Sequence, residues 1–444
     1  MKLNTRRRIF YVFLLLFVVT SVAVVLYAEG WRLDLGTGQA EKAGGIYIRS
    51  YPFDAQITLD GKPIENQSAF LSRGTFISGL FPKTFTVQLK KQGYEAWTEQ
   101  AQVVPSLVSE MKYAVLIPQS GMDVASGQNV KAFFEVNGII ITENQSGIIT
   151  WGNTLIGTGD IVSHSTNLKT AIIRASSTRT NIAIYRFYDF QNATSNNLNP
   201  LLQQLGITPT TNLNIFIDPY NDTTIFVQTN TKIFSINSQT EKVTNIETAP
   251  FGWTIGTPIA VSPSVMAWAR HDKTKNLSQV IVYDKFFNDV NDDTLIIPGT
   301  IKQLTWVKNN ELGIVEDNNS LYLYSNQQLN KLADDVKHFY PTTDGNTIAV
   351  LEYHSLEIFA FSTSDYYRFN LPKTNDIQGL MWYKDMTHLF ITYPDRIAFL
   401  DLVDTNLKNF ITVSSGTMPS YDEQENSFYL IDPGQKLLRF DFPN

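Results

Sequence analysis

The longest apolar run in the sequence lies at its N-terminus, between Ile9 and Ala28. It contains no charged residue, and as a helix it would span about 30 Å, the thickness of the hydrocarbon layer of a bilayer. The run is too long and too uniformly apolar for an ordinary helix of a soluble core. Its charged flanks are Lys2, Arg6, Arg7 and Arg8 before it, and Glu29, Arg32 and Asp34 after it. The positive-inside rule therefore predicts a cytoplasmic stub (1–8), a transmembrane helix (9–28) and an extracytoplasmic body.

Two interpretations of the apolar run remain open. A cleaved signal peptide usually has an apolar region of about 7–15 residues that ends in a small-x-small site. This run is longer, and Leu26-Tyr27-Ala28 has no small residue at its first position. These features favour an uncleaved signal anchor. Cleavage after Ala23, which Ser21 precedes by two positions, is the alternative.

After the apolar run the pattern changes to a period of two, which is typical of β-strands. The clearest strand-like segments are Ile46-Tyr47-Ile48, Ala55 to Leu59, Phe85 to Leu89 and Tyr113 to Ile117. Asp60-Gly61 follows the second of these segments and is a strong signal for a two-residue hairpin turn. A glycine-containing segment (29–43) is expected to act as a linker. Residues 44–118 are predicted to form a small all-β sandwich, since no helical period interrupts them.

Four short motifs within residues 44–118 carry a resemblance to a known family. In chain order they are Ser50-Tyr51-Pro52-Phe53-Asp54-Ala55, Ile57-Thr58-Leu59-Asp60-Gly61-Lys62, Gly79-Leu80-Phe81-Pro82-Lys83-Thr84-Phe85-Thr86-Val87 and Lys90-Lys91-Gln92-Gly93-Tyr94. In this order and spacing they resemble the PEGA domain, a small β-sandwich module of envelope and surface proteins. Asp54 and Lys83 stand where that family usually has glycine, which affects the turn types rather than the fold. The resemblance implies a structural module, and the family has no established catalytic residues to carry over.

The remaining region, 119–444, shows a weak internal repeat. Each unit has an aromatic residue or proline, a polar turn, a β run, a second turn and a second β run. The units begin near Pro219, Pro263, Trp306, Tyr340, Trp382 and Tyr421, which lie 34 to 44 residues apart. A β-propeller blade repeats at about 40–45 residues, and neighbouring blades bury each other's faces. With two less regular units, around 130–160 and 161–190, the repeat predicts seven or eight blades.

A β-sandwich array is the nearest alternative, but nothing in that fold requires a repeat of this length. One helix is expected within the repeat region, over Asn197 to Leu205, where leucines recur at helical spacing. The predicted fold class is therefore mainly all-β. It comprises an N-terminal single transmembrane helix, a small PEGA-like β-sandwich and then a seven- or eight-bladed β-propeller.

Charge and composition narrow the possible functions. The 444-residue chain has a formal net charge of −7, and because the stub contributes +4, the remainder carries −11. An acidic exported body argues against non-specific binding of nucleic acid, which requires a positive surface. The chain has no cysteine, which excludes disulfides, Cys-ligated zinc, iron–sulfur clusters and a thiol nucleophile.

The sequence contains no recognisable catalytic motif. The histidines His164, His271, His338, His354 and His388 form no close pair, and neither a G-x-S-x-G elbow nor a phosphate-binding loop is present. Asp289-Val290-Asn291-Asp292-Asp293 resembles the start of a calcium loop but lacks the glycine and the glutamate that complete such a loop. We expect this segment to be a solvated loop between strands. No catalytic, cofactor-binding or metal-binding residue is assigned, and no cofactor is expected.

The function expected from this architecture is that of a membrane-anchored, exported scaffold or binding protein of the cell envelope. Residues 9–28 would contact the lipid bilayer, and the propeller would present a face to an envelope protein or to a cell-wall or surface glycan. The alternative is an envelope hydrolase or lyase acting on glycans or peptides. Two carboxylates that converge at the propeller channel with shifted pKa values would support the alternative. Whether the protein is an enzyme stays open, and a binding function is favoured.

Overall fold

The structure is a computed structural model of the chain. It describes residues 3–33, 38–68, 74–125, 129–152, 154–176, 182–210, 212–287, 289–308, 310–363, 365–403, 407 and 409–443. The chain divides into two compact units. One unit comprises residues 1–121, 399–413 and 440–444, and the other comprises residues 122–398 and 414–439.

The chain begins with helix α1 (Leu3–Ala28), whose apolar side chains are exposed to solvent from Ile9 to Val19. Its segment Arg6–Ala28 is long and apolar enough to cross a membrane, a property that it shares with signal sequences. The predicted apolar helix is thus confirmed. It begins before Ile9 because arginine, which occupies positions 6–8, favours helix formation. Met1 and Lys2 of the predicted stub lie outside the described residues.

The segment expected to be a linker (29–43) contains two short strands that pair with each other. Strands β1 (Trp31–Leu33) and β2 (Ala40–Lys42) pair in an antiparallel arrangement, and residues 34–37 between them lie outside the described residues. Arg32 donates a hydrogen bond from Nη1 to the carbonyl oxygen of Tyr27 over 2.8 Å, which satisfies one of the free carbonyl groups at the end of α1. Strands of three residues are too short for a period of two to predict.

The predicted small sandwich is confirmed. Its strands are β3 (Gly44–Tyr51), β4 (Gln56–Leu59), β5 (Lys62–Ile64), β6 (Thr75–Leu80), β7 (Thr84–Lys90), β8 (Trp97–Gln102) and β9 (Val108–Val115). They form one sheet of order β6-β3-β9, with β3 and β9 parallel, and a second sheet of order β5-β4-β7-β8. Alternate side chains of both sheets, among them Ile48, Val87 and Met111, share one buried core.

The turns of this sandwich explain its motifs. Asp60 and Gly61 have φ values of 48° and 76°, so they form the predicted two-residue turn between β4 and β5. Asp54 and Lys83, where the PEGA pattern usually has glycine, have no positive φ and therefore do not require glycine. Each makes an ion pair, Asp54 with Lys91 over 2.5 Å and Lys83 with Asp60 over 2.7 Å.

Eight further four-stranded sheets, which we number as blades one to eight, follow in chain order within the described residues. The short strand β10 (Met122–Asp123) precedes them and belongs to blade eight. Blade one has strands β11 (Val130–Val136), β12 (Ile139–Asn144), β13 (Ile148–Trp151) and β14 (Thr154–Thr158), and blade two has β15 (Asp160–His164), β16 (Thr170–Ser176), β17 (Ala183–Asp189) and β18 (Thr194–Asn197). Blade three has β19 (Asn214–Asp218), β20 (Asn221–Gln228), β21 (Lys232–Asn237) and β22 (Val243–Thr248), and blade four has β23 (Trp253–Val261), β24 (Val265–Asp272), β25 (Leu277–Asp284) and β26 (Asp289–Pro298). Blade five has β27 (Ile301–Lys308), β28 (Glu311–Glu316), β29 (Leu321–Ser325) and β30 (Gln328–Ala333), and blade six has β31 (Val336–Pro341), β32 (Thr347–Glu352), β33 (Leu356–Ala360) and β34 (Asp365–Phe369). Blade seven has β35 (Gly379–Trp382), β36 (His388–Thr392), β37 (Ile397–Asp401) and β38 (Ile411–Ser414), and blade eight has β39 (Thr417–Asp422), β40 (Ser427–Ile431) and β41 (Leu437–Asp441) together with β10.

These blades form a closed propeller. First strands of neighbouring blades lie side by side in β15 with β19, β23 with β27 and β31 with β35, and the first strand of blade eight, β39, lies beside β11 of blade one. Strand β10 completes blade eight by pairing with β41, with Met122 opposite Arg439. The predicted count of seven or eight blades is confirmed at eight.

The aromatic residues that mark the repeat join neighbouring blades. Trp306 in β27 donates a hydrogen bond from Nε1 to the carbonyl oxygen of Ala260 in blade four, over 3.3 Å. Trp382 in β35 makes the equivalent bond to Tyr340 in blade six, over 3.0 Å. The two tryptophans therefore occupy equivalent joints, which explains why the sequence repeats an aromatic residue at this position.

Two further predictions within the propeller have different outcomes. The predicted helix is confirmed as α2 (Asn199–Gln204), which buries Leu202 against the core of blades two and three. The solvated loop predicted at residues 289–293 is wrong, because these residues belong to β26 and Val290 pairs with Tyr283. Pairing satisfies the backbone groups along the edge of β25, and this outweighs the low strand propensity of aspartate.

Candidate functional site

The candidate site lies at one end of the propeller blades. In a four-stranded antiparallel sheet the first and third turns lie at the same end, and the second turn lies at the other. A cavity of about 1030 Å³ is lined by residues from such turns. They include Tyr220 in blade three, Pro263 in blade four, Asn310 and Asn326 in blade five, and Asp344 in blade six. The repeat of the blades therefore brings residues more than 120 positions apart to one cavity.

Several polar side chains in this cavity have no hydrogen-bond partner among the residues that the structure describes. Among the described residues, the side chains of Asn310, Glu311, Ser325 and Asn326 make no hydrogen bond with one another or with the rest of the chain. Asn310 and Asn326 are exposed. Asn326 has a φ of 50° in the two-residue turn between β29 and β30, and this turn directs a short segment of backbone toward solvent. These groups can form hydrogen bonds with a ligand without breaking bonds within the protein.

The charged residues of the cavity are Lys308, Glu311 and Asp344. Asp344 accepts hydrogen bonds from the Thr342 hydroxyl over 2.6 Å and from the Asn346 backbone N–H over 2.9 Å. The hydrogen bond from Thr342 and then that from Asn346 hold the pKa of Asp344 below its usual range. Asp344 is therefore a fixed carboxylate that shapes its own turn, and it is unsuited to act as a general acid at neutral pH.

A second cavity, of about 380 Å³, adjoins the first and shares Tyr220 and Pro263 with it. It contains an ion pair of 2.7 Å between the Lys285 ammonium and the Asp218 carboxylate, and both side chains are largely buried. The Lys285 ammonium also lies 5.5 Å from the centre of the Tyr220 ring. Phe286, at the rim of this cavity, is 75% exposed.

A buried pair of carboxyl groups lies elsewhere, between blades eight and one. Glu135 in β11 and Asp422 in β39 both accept a hydrogen bond from the backbone N–H of Gly138, over 3.1 and 3.2 Å. Burial, and then the hydrogen bond with Asp422, raise the pKa of Glu135 to about 8. Burial opposes ionisation of Asp422, but the hydrogen bonds from Glu135 and from the Glu425 N–H outweigh it and lower the pKa of Asp422. The pair therefore holds one proton near neutral pH, and neither residue lines the two cavities.

A second acidic pair lies in blade six. The Tyr366 hydroxyl donates a hydrogen bond of 2.5 Å to Glu357, and the Arg368 guanidinium lies 3.5 Å from Glu352 and 3.6 Å from Glu357. Burial raises the pKa of Glu352. These residues do not line the two cavities either.

The five histidines do not form a site. His388 is buried, and its Nδ1 lies 2.8 Å from the Asp385 carboxylate within the same turn. The ring of His164 packs 4.7 Å from that of Phe134, and His271 forms a hydrogen bond with Ser278. None of the five lines either cavity, and in the described part of the chain no cluster of three or more acidic or histidine residues could hold a metal ion.

No family model matches this chain, and neither does a curated protein sequence. Solved structures that are similar to it include an oligogalacturonate lyase from Vibrio parahaemolyticus (10% identity, TM-score 0.47, 70% of this chain and 96% of that one). They also include the C-terminal WD40 domain of Sif2 (11% identity, TM-score 0.45, 73% and 99% coverage) and a eukaryotic initiation factor (8% identity, TM-score 0.48, 72% and 86% coverage). At these identities and TM-scores the similarities do not indicate a function for this chain.

Proposed function

We propose that this protein is a membrane-anchored, exported binding protein of the cell envelope, and that the two adjoining cavities of its propeller are the binding site. The observation that carries the proposal is the cavity of about 1030 Å³, in which the side chains of Asn310, Glu311 and Asn326 make no hydrogen bond with other described residues. In this proposal the domains are a stub (1–8), a transmembrane helix (9–28), a linker with its hairpin (29–43), a PEGA-like module (44–118) and the propeller (119–444).

The apolar surface of α1 supports an anchor in the bilayer. Phe10, Leu15 and Phe17 are each more than 60% exposed, and a surface so apolar is unfavourable in water. The basic residues at positions 6–8 favour a cytoplasmic N-terminus, so the rest of the chain would be exported. The match of the four motifs, together with the turn at Asp60-Gly61, supports the PEGA-like assignment of the small sandwich.

The chemistry of the cavity favours binding over catalysis. A hydrolase acting through a general acid needs a carboxyl group whose pKa is raised toward neutrality and which reaches the substrate. The pKa of Asp344 is lowered instead, and Glu135, whose pKa is raised to about 8, does not line either cavity. The alternative of an envelope hydrolase or lyase therefore has less support in the described cavities than a binding function.

A capture experiment tests the binding site. Full-length protein in detergent is immobilised and exposed to solubilised envelope material, and captured components are compared with those of the double variant Asn310→Ala/Asn326→Gly. Glycine is chosen at position 326 because the backbone there has a positive φ. We expect the variant to lose the captured component, and Asn230→Ala, an exposed residue at the opposite end of blade three, to retain it. Equal capture by all three proteins would contradict the proposal.

A further inference from the structure

We infer that the two adjoining cavities bind an uncharged oligosaccharide that extends from one cavity into the other. The inference rests on the proposed function, because it assigns a ligand class to the same site. Both cavities contain Tyr220 and Pro263, so they form one elongated site rather than two separate ones. A site of this form suits a linear chain of similar units better than a single compact molecule.

The uncommitted side chains match the chemistry of sugar hydroxyl groups. A hydroxyl group both donates and accepts hydrogen bonds, and so do the amides of Asn310 and Asn326 and the hydroxyl of Ser325. All three side chains line the larger cavity. They can therefore hold neighbouring hydroxyl groups whichever way each hydroxyl is turned.

Aromatic rings supply the complementary apolar surface. The only hydrogen-bond donor of the Trp306 side chain, Nε1–H, is already bonded to the carbonyl oxygen of Ala260, so this residue offers a ligand the apolar surface of its ring. Tyr220, at the junction of the two cavities, is 55% exposed and offers a second ring. Sugar rings have an apolar face of C–H groups, and such a face packs against aromatic rings.

The charges of the site disfavour an anionic ligand. Glu311 and Asp344 outnumber Lys308 in the larger cavity, and Lys285 in the smaller cavity is neutralised by Asp218. An acidic polysaccharide or a nucleic acid would therefore meet repulsion from the net negative charge of the larger cavity. An extended peptide is the competing neutral ligand, and one common mode of binding for such a peptide is pairing with an exposed strand edge. The polar groups of this site are mainly side chains of turns.

Calorimetric titration of the full-length protein tests the inference. The detergent must lack a sugar headgroup, and the probes are β-1,4-linked hexamers of glucose and of N-acetylglucosamine, a galacturonate hexamer and a mixture of uncharged hexapeptides. We expect binding of at least one uncharged hexamer, and a loss of about ten-fold or more in affinity in Asn310→Ala/Asn326→Gly, since each lost hydrogen bond contributes about 0.5–1.5 kcal/mol. Asn230→Ala should bind as the wild type does.

Two tryptophan variants separate ligand contact from stability. Trp306→Phe and Trp382→Phe each remove one hydrogen bond at an equivalent joint, so both should lower the melting temperature to a similar extent. Only Trp306→Phe should also lower the affinity for the uncharged hexamer, because Trp382 does not line either cavity. An equal loss of affinity in both variants would overturn the proposed contact between Trp306 and the ligand.

The possible outcomes distinguish the inference from the proposed function. Cavity-dependent binding of the galacturonate hexamer or of hexapeptides, without binding of either uncharged hexamer, overturns the inference and leaves the proposed binding site in place. Failure of every probe to bind also overturns the inference. Capture of envelope material that is insensitive to the cavity variants would overturn the proposed site itself.

Discussion

At the scale of single residues, a pair of carboxyl groups that holds one proton near neutral pH lies between the last and the first blade of the propeller. Glu135 in the first blade and Asp422 in the last share the N–H of Gly138, and the pKa of Glu135 is raised to about 8 by burial. Arg439 acts in the opposite direction on Glu135. Because its pKa is raised in the folded state, the Glu135 carboxyl is protonated to a greater extent in the folded chain than in the unfolded chain between about pH 4.5 and pH 8.

The pH dependence of stability follows from this difference. The contribution of Glu135 is fully present below about pH 4.5 and is lost as the pH rises through about 8, at up to about 1.4 kcal/mol per pH unit for one proton. Glu135→Gln keeps a hydrogen-bond donor toward Asp422 and cannot ionise. The decrease in the free energy of unfolding that ionisation of Glu135 causes between pH 6 and pH 9 in the wild type should therefore be absent from the variant. Urea unfolding at several pH values measures the difference between the two proteins. Glu241→Gln, an exposed residue, should behave as the wild type, and a Glu135→Gln variant with an unchanged slope would contradict the assignment.

A second prediction at this scale concerns Lys285 and Asp218, which form a largely buried ion pair. Lys285→Met should lower the free energy of unfolding by about 3 kcal/mol or more, because it leaves a carboxylate buried without its partner. The double variant Asp218→Asn/Lys285→Met should recover most of the loss, since no buried charge is left. Chemical denaturation of the three proteins tests this, and a double variant as unstable as Lys285→Met would contradict it.

At the scale of elements, the strands in which apolar and polar side chains alternate can be predicted from the sequence. Strands that are very short or rich in acidic residues are missed. The period of two predicts β4 and β7 in the small sandwich, and Asp60-Gly61 predicts the turn of the hairpin that β4 forms with β5. Strand β26 is missed because its acidic first half has the composition of a loop, although the edge of β25 provides pairing partners. The hairpin of β1 and β2 is missed because its strands have only three residues each.

The blade joints give a prediction at the same scale. Trp382→Phe removes the bond from Nε1 to the carbonyl oxygen of Tyr340 and leaves that carbonyl without this donor. We expect a loss of about 1 kcal/mol in the free energy of unfolding, with binding of envelope material unchanged. Thermal unfolding together with the capture experiment measures both quantities. A Trp382→Phe variant of wild-type stability would show that the joint contributes nothing.

At the scale of the whole molecule, the fold could be predicted from the sequence and the site could not. The repeat of aromatic residues at about forty positions follows from the packing of one blade on the next, so it is visible in the sequence. The cavity depends instead on which turns lie at the same end of the blades. Tyr220, Asn310 and Asp344 stand far apart in the sequence and carry no common motif, so only the blade boundaries show that they meet.

The anchor also belongs to this scale. With α1 in the bilayer, washing membranes with high salt or alkaline carbonate should leave the full chain in the pellet, and detergent should release it. Deletion of residues 3–28 should give a protein that is soluble without detergent and is no longer exported. Release of the intact wild-type chain by salt alone would contradict the anchor, and release of a fragment that begins near residue 24 would instead show cleavage.

Photo-crosslinking in living cells tests the central claim most directly, because it reports location and binding site together. A benzophenone amino acid is placed at position 310, in the cavity, and at position 230, at the opposite end of the blades. We predict that illumination joins position 310 to an extracytoplasmic glycan or protein of the envelope, and that position 230 gives no such adduct. An adduct with a cytoplasmic component, or the same adduct from both positions, would contradict an exported propeller that binds its ligand in this cavity.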